Sequence, residues 1–168
     1  YIYILMEDGT AAIINYIGAA SELEVPGEIE GHPVAYIADG AFYQCDSLTS
    51  ITLPDGVTSI GNSAFNWCDS LTGITDPDPE TYDVHYVWVG DVPEGVTLPD
   101  SVAFIGDSAF YSCGSLTSAV IPDGVTSIGK DAFDDCADNL ALTVGQNSYA
   151  MQYAIDNDIH YICPDTNN

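Results

Sequence analysis

Basic residues are almost missing from this chain. One lysine, Lys130, and no arginine stand against 26 aspartates and glutamates, a formal net charge of −25 over 168 residues. A surface of that sign repels phosphate backbones and anionic bilayers. It argues against nucleic acid and membranes as partners and favours partners that are basic or bring cations. The same acids also read as the solvated face of an exported protein. Long apolar runs are missing too: none approaches the ~20 residues that span a bilayer, so no membrane insertion is expected. No secretory leader is present and the chain starts at Tyr1 without Met, so a mature or excised fragment is expected.

Signatures of chemistry are equally scarce. His32, His85 and His160 sit in no recognisable nucleophile setting, and no Gly-x-Ser-x-Gly elbow or phosphate loop occurs. Paired carboxylates carry no information in a chain this acidic. No catalytic residue is assigned, no enzyme is expected and no cofactor is implied. C-x-x-C pairs are absent and the histidines are scattered, which disfavours zinc.

What the chain does contain is 46% apolar residues, enough to fold, and a phrase that repeats. Ala41-Phe42-x-x-Cys45-x-Ser47-Leu48-Thr49 returns from Ala64 and from Ala109, and a fourth copy starts at Ala132-Phe133-x-x-Cys136 before drifting. Phe42 to Phe65, and Phe110 to Phe133, are one ~23-residue period apart, which marks a stacked-coil solenoid. Cys45, Cys68, Cys113 and Cys136 all follow the motif phenylalanine by three positions, so they stack in one wall. A ladder of buried thiols is the first reading, with a disulfide between neighbours (Cys45 with Cys68, or Cys113 with Cys136) as its rival. Cys163 stands outside the ladder.

Along the chain, residues 1–20 read as a cap built on a hairpin, with Asp8-Gly9 as the turn. Residues 21–145 read as about five coils of ~23 residues, the first lengthened by a loop at Gly27–Pro33. Leu48-x-x-Ile51-x-Leu53 fits the strand consensus of leucine-rich repeats, with Ile51 and Leu53 inward and Ser50 and Thr52 outward. Residues 146–168 read as a second cap: Asn147-Ser148 as helix N-cap, a helix over Tyr149–Asp156, a short strand at Ile159–Ile162 and a frayed tail. The phenylalanines Phe65 and Phe110 are nearly two periods apart. Residues 76–97 are therefore expected to be a coil that keeps its register but has rewritten its back arm.

The Ala-Phe-x-x-Cys-x-Ser-Leu-Thr units, the Leu-Pro-Asp-Gly-Val-Thr-Ser-Ile-Gly connectors and the terminal Tyr-Ala-x-x-Tyr-Ala helix resemble the BspA-like leucine-rich-repeat surface proteins of bacteria, from about Leu23 to Ile162. The resemblance implies an exported or cell-surface, non-enzymatic domain whose usual assignment is adhesion or host-protein binding. The expected fold is a single right-handed α/β-type solenoid of short parallel strands with irregular back arms, a hairpin cap and a helical cap.

Binding sites are sought on two surfaces. The outward strand residues Glu22, Glu24, Ser50, Thr52, Gly73, Thr75, Gly95, Thr97, Ser118 and Val120 are small and carry no aromatic, so that face looks weak. Tyr82, His85, Tyr86 and Trp88 in the irregular coil are the better ligand-binding candidates, unless those rings merely refill core space left by the absent Phe and Cys. Asp76, Asp78, Glu80 and Asp83 form a weak calcium candidate, with a rigid solvated loop as its rival. The expected partner is an extracellular protein or glycan, host-derived ones included, contacted by a monomer. A passive spacer that binds nothing is the alternative.

Overall fold

The computed structural model describes residues 1–75 and 96–164. In chain order, β1 (Ile2–Leu5) and β2 (Ala11–Asn15) make the opening hairpin. Then follow β3 (Glu22–Glu24), β4 (Glu28–Ile29), β5 (His32–Ile37), β6 (Ser50–Thr52), β7 (Ser59–Ile60) and β8 (Gly73–Thr75). Beyond residue 95 come β9 (Val96–Thr97), β10 (Phe104–Ile105), β11 (Ser118–Val120), β12 (Ser127–Ile128), β13 (Ala141–Thr143), α1 (Tyr149–Asp156) and β14 (His160–Ile162).

Each coil has three walls around one core. The front wall is a parallel sheet in the order β3, β6, β8, β9, β11, β13, β14. Along β6 only the central Ile51 is sealed, as a period-two backbone requires. The second wall is a parallel sheet too: the two-residue strands β7, β10 and β12 stack in turn on the end of β5, because Ile37, Ile60, Ile105 and Ile128 fall in register and all point into the core.

The third wall is built by the repeated Ala-Phe. The amides of Tyr16, Phe42, Phe65 and Phe110 donate to the carbonyls of Ala41, Ala64, Ala109 and Ala132, each at 2.8 Å. The four rings Phe42, Phe65, Phe110 and Phe133 lie nearly parallel, with centroids 5.1, 5.4 and 5.1 Å apart. Tyr16 closes the stack at one end and Tyr153 of α1 meets Phe133 edge-on at the other. The cysteines form the ladder expected of them: the thiols of Cys68, Cys113 and Cys136 donate to the carbonyls of Phe42, Phe65 and Phe110. All five cysteines are free, so neither rival disulfide is present in this structure.

Residues 76–95, on which the expectation of a coil with a rewritten back arm falls, lie outside the described residues; the coils that flank them meet. Phe65 stacks directly on Phe110, β7 pairs directly with β10, and the Cys113 thiol reaches the Phe65 carbonyl. On two of the three walls the flanking coils are therefore in contact. Only the front sheet gains a rung, since β8 and β9 both stand between β6 and β11.

The lengthened first coil is a small hairpin rather than a loop. β4 and β5 pair antiparallel around Glu30 and Gly31, whose φ of 53° and 80° define a primed two-residue turn. It clasps the opening hairpin: the Tyr3 hydroxyl donates to Glu30, the Tyr36 hydroxyl to Asp8, and a His32 ring nitrogen bonds the Gly9 carbonyl. At the other end Ser148 caps α1 by accepting the Met151 amide, the N-cap read from the sequence.

The Ile-Gly dipeptides have a steric cause. A Cβ on Gly106 would sit 2.5 Å from the Asn62 amide nitrogen, where the coils touch backbone to backbone. Gly106→Ala is expected to cost about 1–3 kcal/mol by overpacking, while Gly114→Ala, with open space around it, stays within about 0.5 kcal/mol; urea unfolding of both measures the difference. Deleting residues 76–97 joins Thr75 to Leu98 and restores the one-period spacing between Phe65 and Phe110. The deletion also removes the buried Val96. That variant is expected to unfold cooperatively with a melting temperature close to the parent's; a molten product would mean that the deleted residues carry more of the core than Val96 alone.

Candidate binding surface

The strand face offers little. Its described members are acids or small residues: Glu22 and Glu24 are exposed, and Ser50, Thr52, Thr97, Ser118 and Val120 are partly so. Gly95, Tyr82, His85, Tyr86, Trp88 and the carboxylates Asp76, Asp78, Glu80 and Asp83 lie outside the described residues. Among the described residues no group of three or more His, Cys, Asp or Glu side chains is placed to hold a metal ion.

The third wall offers more. To turn in and out of the core, each coil places the second residue before its phenylalanine, and the second after it, in the left-handed region. The residues are Gly40 and Gln44, Ser63 and Trp67, Ser108 and Ser112, and Asp131 and Asp135, with φ between 52° and 63°. Small polar side chains tolerate that conformation, and a bulky ring there is an outlier. Trp67 is that outlier, at φ 62° and 46% exposed.

Trp67 is not alone. Tyr43 follows Phe42 on the preceding rung and is 49% exposed, and Tyr111 follows Phe110 on the succeeding rung and is half-buried. The Trp67 amide donates to the Tyr111 carbonyl at 3.0 Å, and the Gln44 amide to the Asn66 carbonyl at 2.9 Å. Closure of Phe65 onto Phe110 is what makes Trp67 and Tyr111 neighbours despite their distance in sequence. Three aromatic residues thus occupy three consecutive rungs on the outer edge of the phenylalanine wall.

The rim is acidic. Asp46 and Asp69 occupy equivalent exposed positions on adjacent rungs, and Asp134 and Asp135 are exposed beyond Tyr111. Asp135 also accepts the Ser112 hydroxyl at 2.8 Å. Rings flanked by carboxylates, with no described lysine nearer than Lys130, can take a cation by both Coulomb attraction and cation–π contact. Sequence reading missed this edge. The available signal was positional: after a motif phenylalanine, tryptophan stands only at Trp67, where the other copies carry Gln44, Ser112 and Asp135.

Parallel strands wound on a core of stacked, repeated residues define a leucine-rich-repeat solenoid, a type of scaffold that presents a surface for binding proteins. The chain belongs to the BspA-type family of these repeats: the family model described as BspA type Leucine rich repeat region matches residues 28–140 in six copies. A leucine-rich-repeat protein of T. pallidum is similar at 31% identity over 86% of this chain and 68% of its own, with a TM-score of 0.62. One from Bacteroides capillosus is similar at 25% identity over 82% of this chain and 88% of its own, with the same TM-score. A leucine-rich cell surface protein of Faecalibacterium prausnitzii is 29% identical over 84% of this chain, with a TM-score of 0.56; the match spans 42% of that protein. No curated protein matches the chain. Among the described residues no helix is long and apolar enough to cross a membrane.

If Trp67 is held against its own backbone preference for the sake of its exposed ring, replacing it should cost little stability. Relief of left-handed strain, of order 1–3 kcal/mol, offsets the lost ring burial. Trp67→Asn is therefore expected to lie within about 1 kcal/mol of the parent in urea unfolding. A loss above about 3 kcal/mol would make Trp67 a packing residue.

Proposed function

We propose that this chain is a non-enzymatic, extracellular protein-binding module of a bacterial cell-surface protein, and that it engages a basic partner through the aromatic edge of the third wall. The observation that carries the reading is the run Tyr43, Trp67, Tyr111 on consecutive rungs, rimmed by Asp46, Asp69, Asp134 and Asp135. Aromatic residues dominate binding hot spots because they bury much area at small entropic cost, and arginine is their frequent counterpart. A net charge of −25 steers cationic surfaces toward the module and keeps anionic ones away. Adhesion is the role that this surface would serve on a cell, with the module acting as a monomer.

An arginine-rich peptide is the minimal probe. It is expected to bind the parent, to weaken as salt rises, and to lose at least tenfold in affinity to a Tyr43→Ala/Trp67→Ala/Tyr111→Ala variant, measured by calorimetry. Unchanged affinity in that variant, with loss on deleting residues 76–97, would move the site to Tyr82, His85, Tyr86 and Trp88. Loss in neither variant would leave only non-specific charge attraction, and the passive spacer would replace the binding module. A melting temperature raised by millimolar Ca²⁺ and not by Mg²⁺ would assign residues 76–83 to calcium.

A further inference from the structure

The thiol ladder has an inner and an outer end, and they differ in chemistry. Cys68 and Cys113 are fully buried, and each donates to the phenylalanine carbonyl of the preceding rung. Cys136 is partly buried and does the same. Burial pushes the Cys113 thiol up, and the Cys136 thiol up to about 12, so neither supplies thiolate at neutral pH.

Cys45 is the exception. It is the first cysteine of the ladder, and Tyr16 stands where a preceding motif phenylalanine would be. Among the described residues its thiol donates to no carbonyl. It is half-buried and lines a cleft of about 280 Å³ that also takes in Tyr16, Ile17, Tyr43 and Asp46. Cys68 lies directly behind it, one rung inward. The rungs are locked by the Phe42–Ala64 and Gln44–Asn66 amide bonds, and the rings of Phe42 and Phe65 stack at 5.1 Å. Equivalent positions one strand spacing apart, about 4.8 Å, fall within the Cα separation of about 4.4–6.8 Å that a disulfide spans.

We infer that Cys45 and Cys68 form a thiol-modification site, in which Cys45 attacks a small neutral or cationic disulfide entering the cleft and Cys68 resolves the product. In the first step Cys45 gives its proton to water. The thiolate attacks one sulfur of the small disulfide, a mixed disulfide forms, and the departing thiolate takes up a proton. In the second step the Cys68 sulfur attacks the Cys45 sulfur, the second small thiol leaves carrying a proton, and a Cys45–Cys68 disulfide remains. Two cysteines are oxidised and one small disulfide is reduced to two thiols.

The electrostatics agree with that order. A hydrogen bond from Cys68 holds the Cys45 thiol below its ordinary value, against the opposing effects of burial and of Asp46. The same bond, followed by burial, holds the Cys68 thiol above its own. One S–H proton serves one acceptor at a time: the Phe42 carbonyl while Cys45 is protonated, the Cys45 thiolate once it ionises. When Cys45 becomes a mixed disulfide its thiolate is gone, and the largest cause of the high Cys68 value goes with it. Burial still holds the Cys68 thiol up, so resolution is expected to be the slower of the two steps. The acidic surface selects the reagent, since an anionic disulfide is repelled and a cationic one attracted.

The test uses the intact chain, reduced and then exposed to cystamine, with oxidised glutathione as the anionic comparison. Cys45 is expected to react at least tenfold faster than Cys113 or Cys136. The faster reagent should be cystamine, with the gap narrowing as salt rises. Two small thiols should be released per protein, and peptide mapping should find a Cys45–Cys68 cross-link without retained adduct. A stable cystamine adduct on Cys45 would overturn the resolving role of Cys68. First reaction at Cys163, or equal rates along the ladder, would overturn the site itself. The mapping needs no variant, so it does not depend on a core substitution at Cys68 folding.

Discussion

Everything in this solenoid is spaced by the contact of one phenylalanine ring on the next. A ring face against a ring face at just over 5 Å is compatible with the rise of one strand, and the amide of each phenylalanine can then reach the alanine carbonyl of the following rung. The remaining features of the repeat follow from holding that stack. Alanine precedes the ring because its carbonyl must approach without a bulky neighbour. Left-handed residues flank the ring because the chain has to turn sharply in and out of the core. The cysteine fits because a thiol is small, apolar and still able to donate to the phenylalanine carbonyl of the preceding rung, which also accepts a backbone amide.

Charge is organised by the same repeat. A chain with one lysine cannot neutralise its acids by ion pairs, and the pair Lys130–Asp131 lies at the surface, where it contributes little. The acids that matter to the fold bond backbone amides instead. Asp39 accepts the Asn62 amide, the Asn62 side chain accepts the Asp107 amide, and Asp107 accepts the Lys130 amide. The neutral Asn62 separates two carboxylates that would otherwise sit on adjacent rungs. The exposed acids are left over for steering, and four of them, Asp46, Asp69, Asp134 and Asp135, rim the wall that carries Tyr43, Trp67 and Tyr111.

Much of this could be read in advance, for a physical reason. Repetition turns a weak local pattern into a strong one, so the period, the inward Ile51 and Leu53, the thiol ladder and the Ser148 cap were legible from spacing alone. The second sheet was not, because two-residue strands such as Ser59–Ile60 have no alternation to detect and exist only by stacking on their copies. The closed rung between Phe65 and Phe110 was also hidden. Two near-periods of chain suggest two coils, and nothing in one dimension tells that Phe65 meets Phe110 directly while the front sheet carries both β8 and β9 between β6 and β11. Trp67 was overlooked because it falls at a variable position of the motif; its difference from Gln44, Ser112 and Asp135 gains meaning only with the left-handed backbone that all four share.

That uneven count of rungs reaches beyond the local packing. At that place the two halves of the module are held by three unlike seams. On the third wall ring meets ring, Phe65 on Phe110. On the second wall β7 and β10 are matched at two positions, Ser59 with Phe104 and Ile60 with Ile105. On the front wall β8 and β9 are matched at Ile74 and Val96. A pull along the axis would be shared among the three, and the front seam, with the shortest ladder, is where it would tell first.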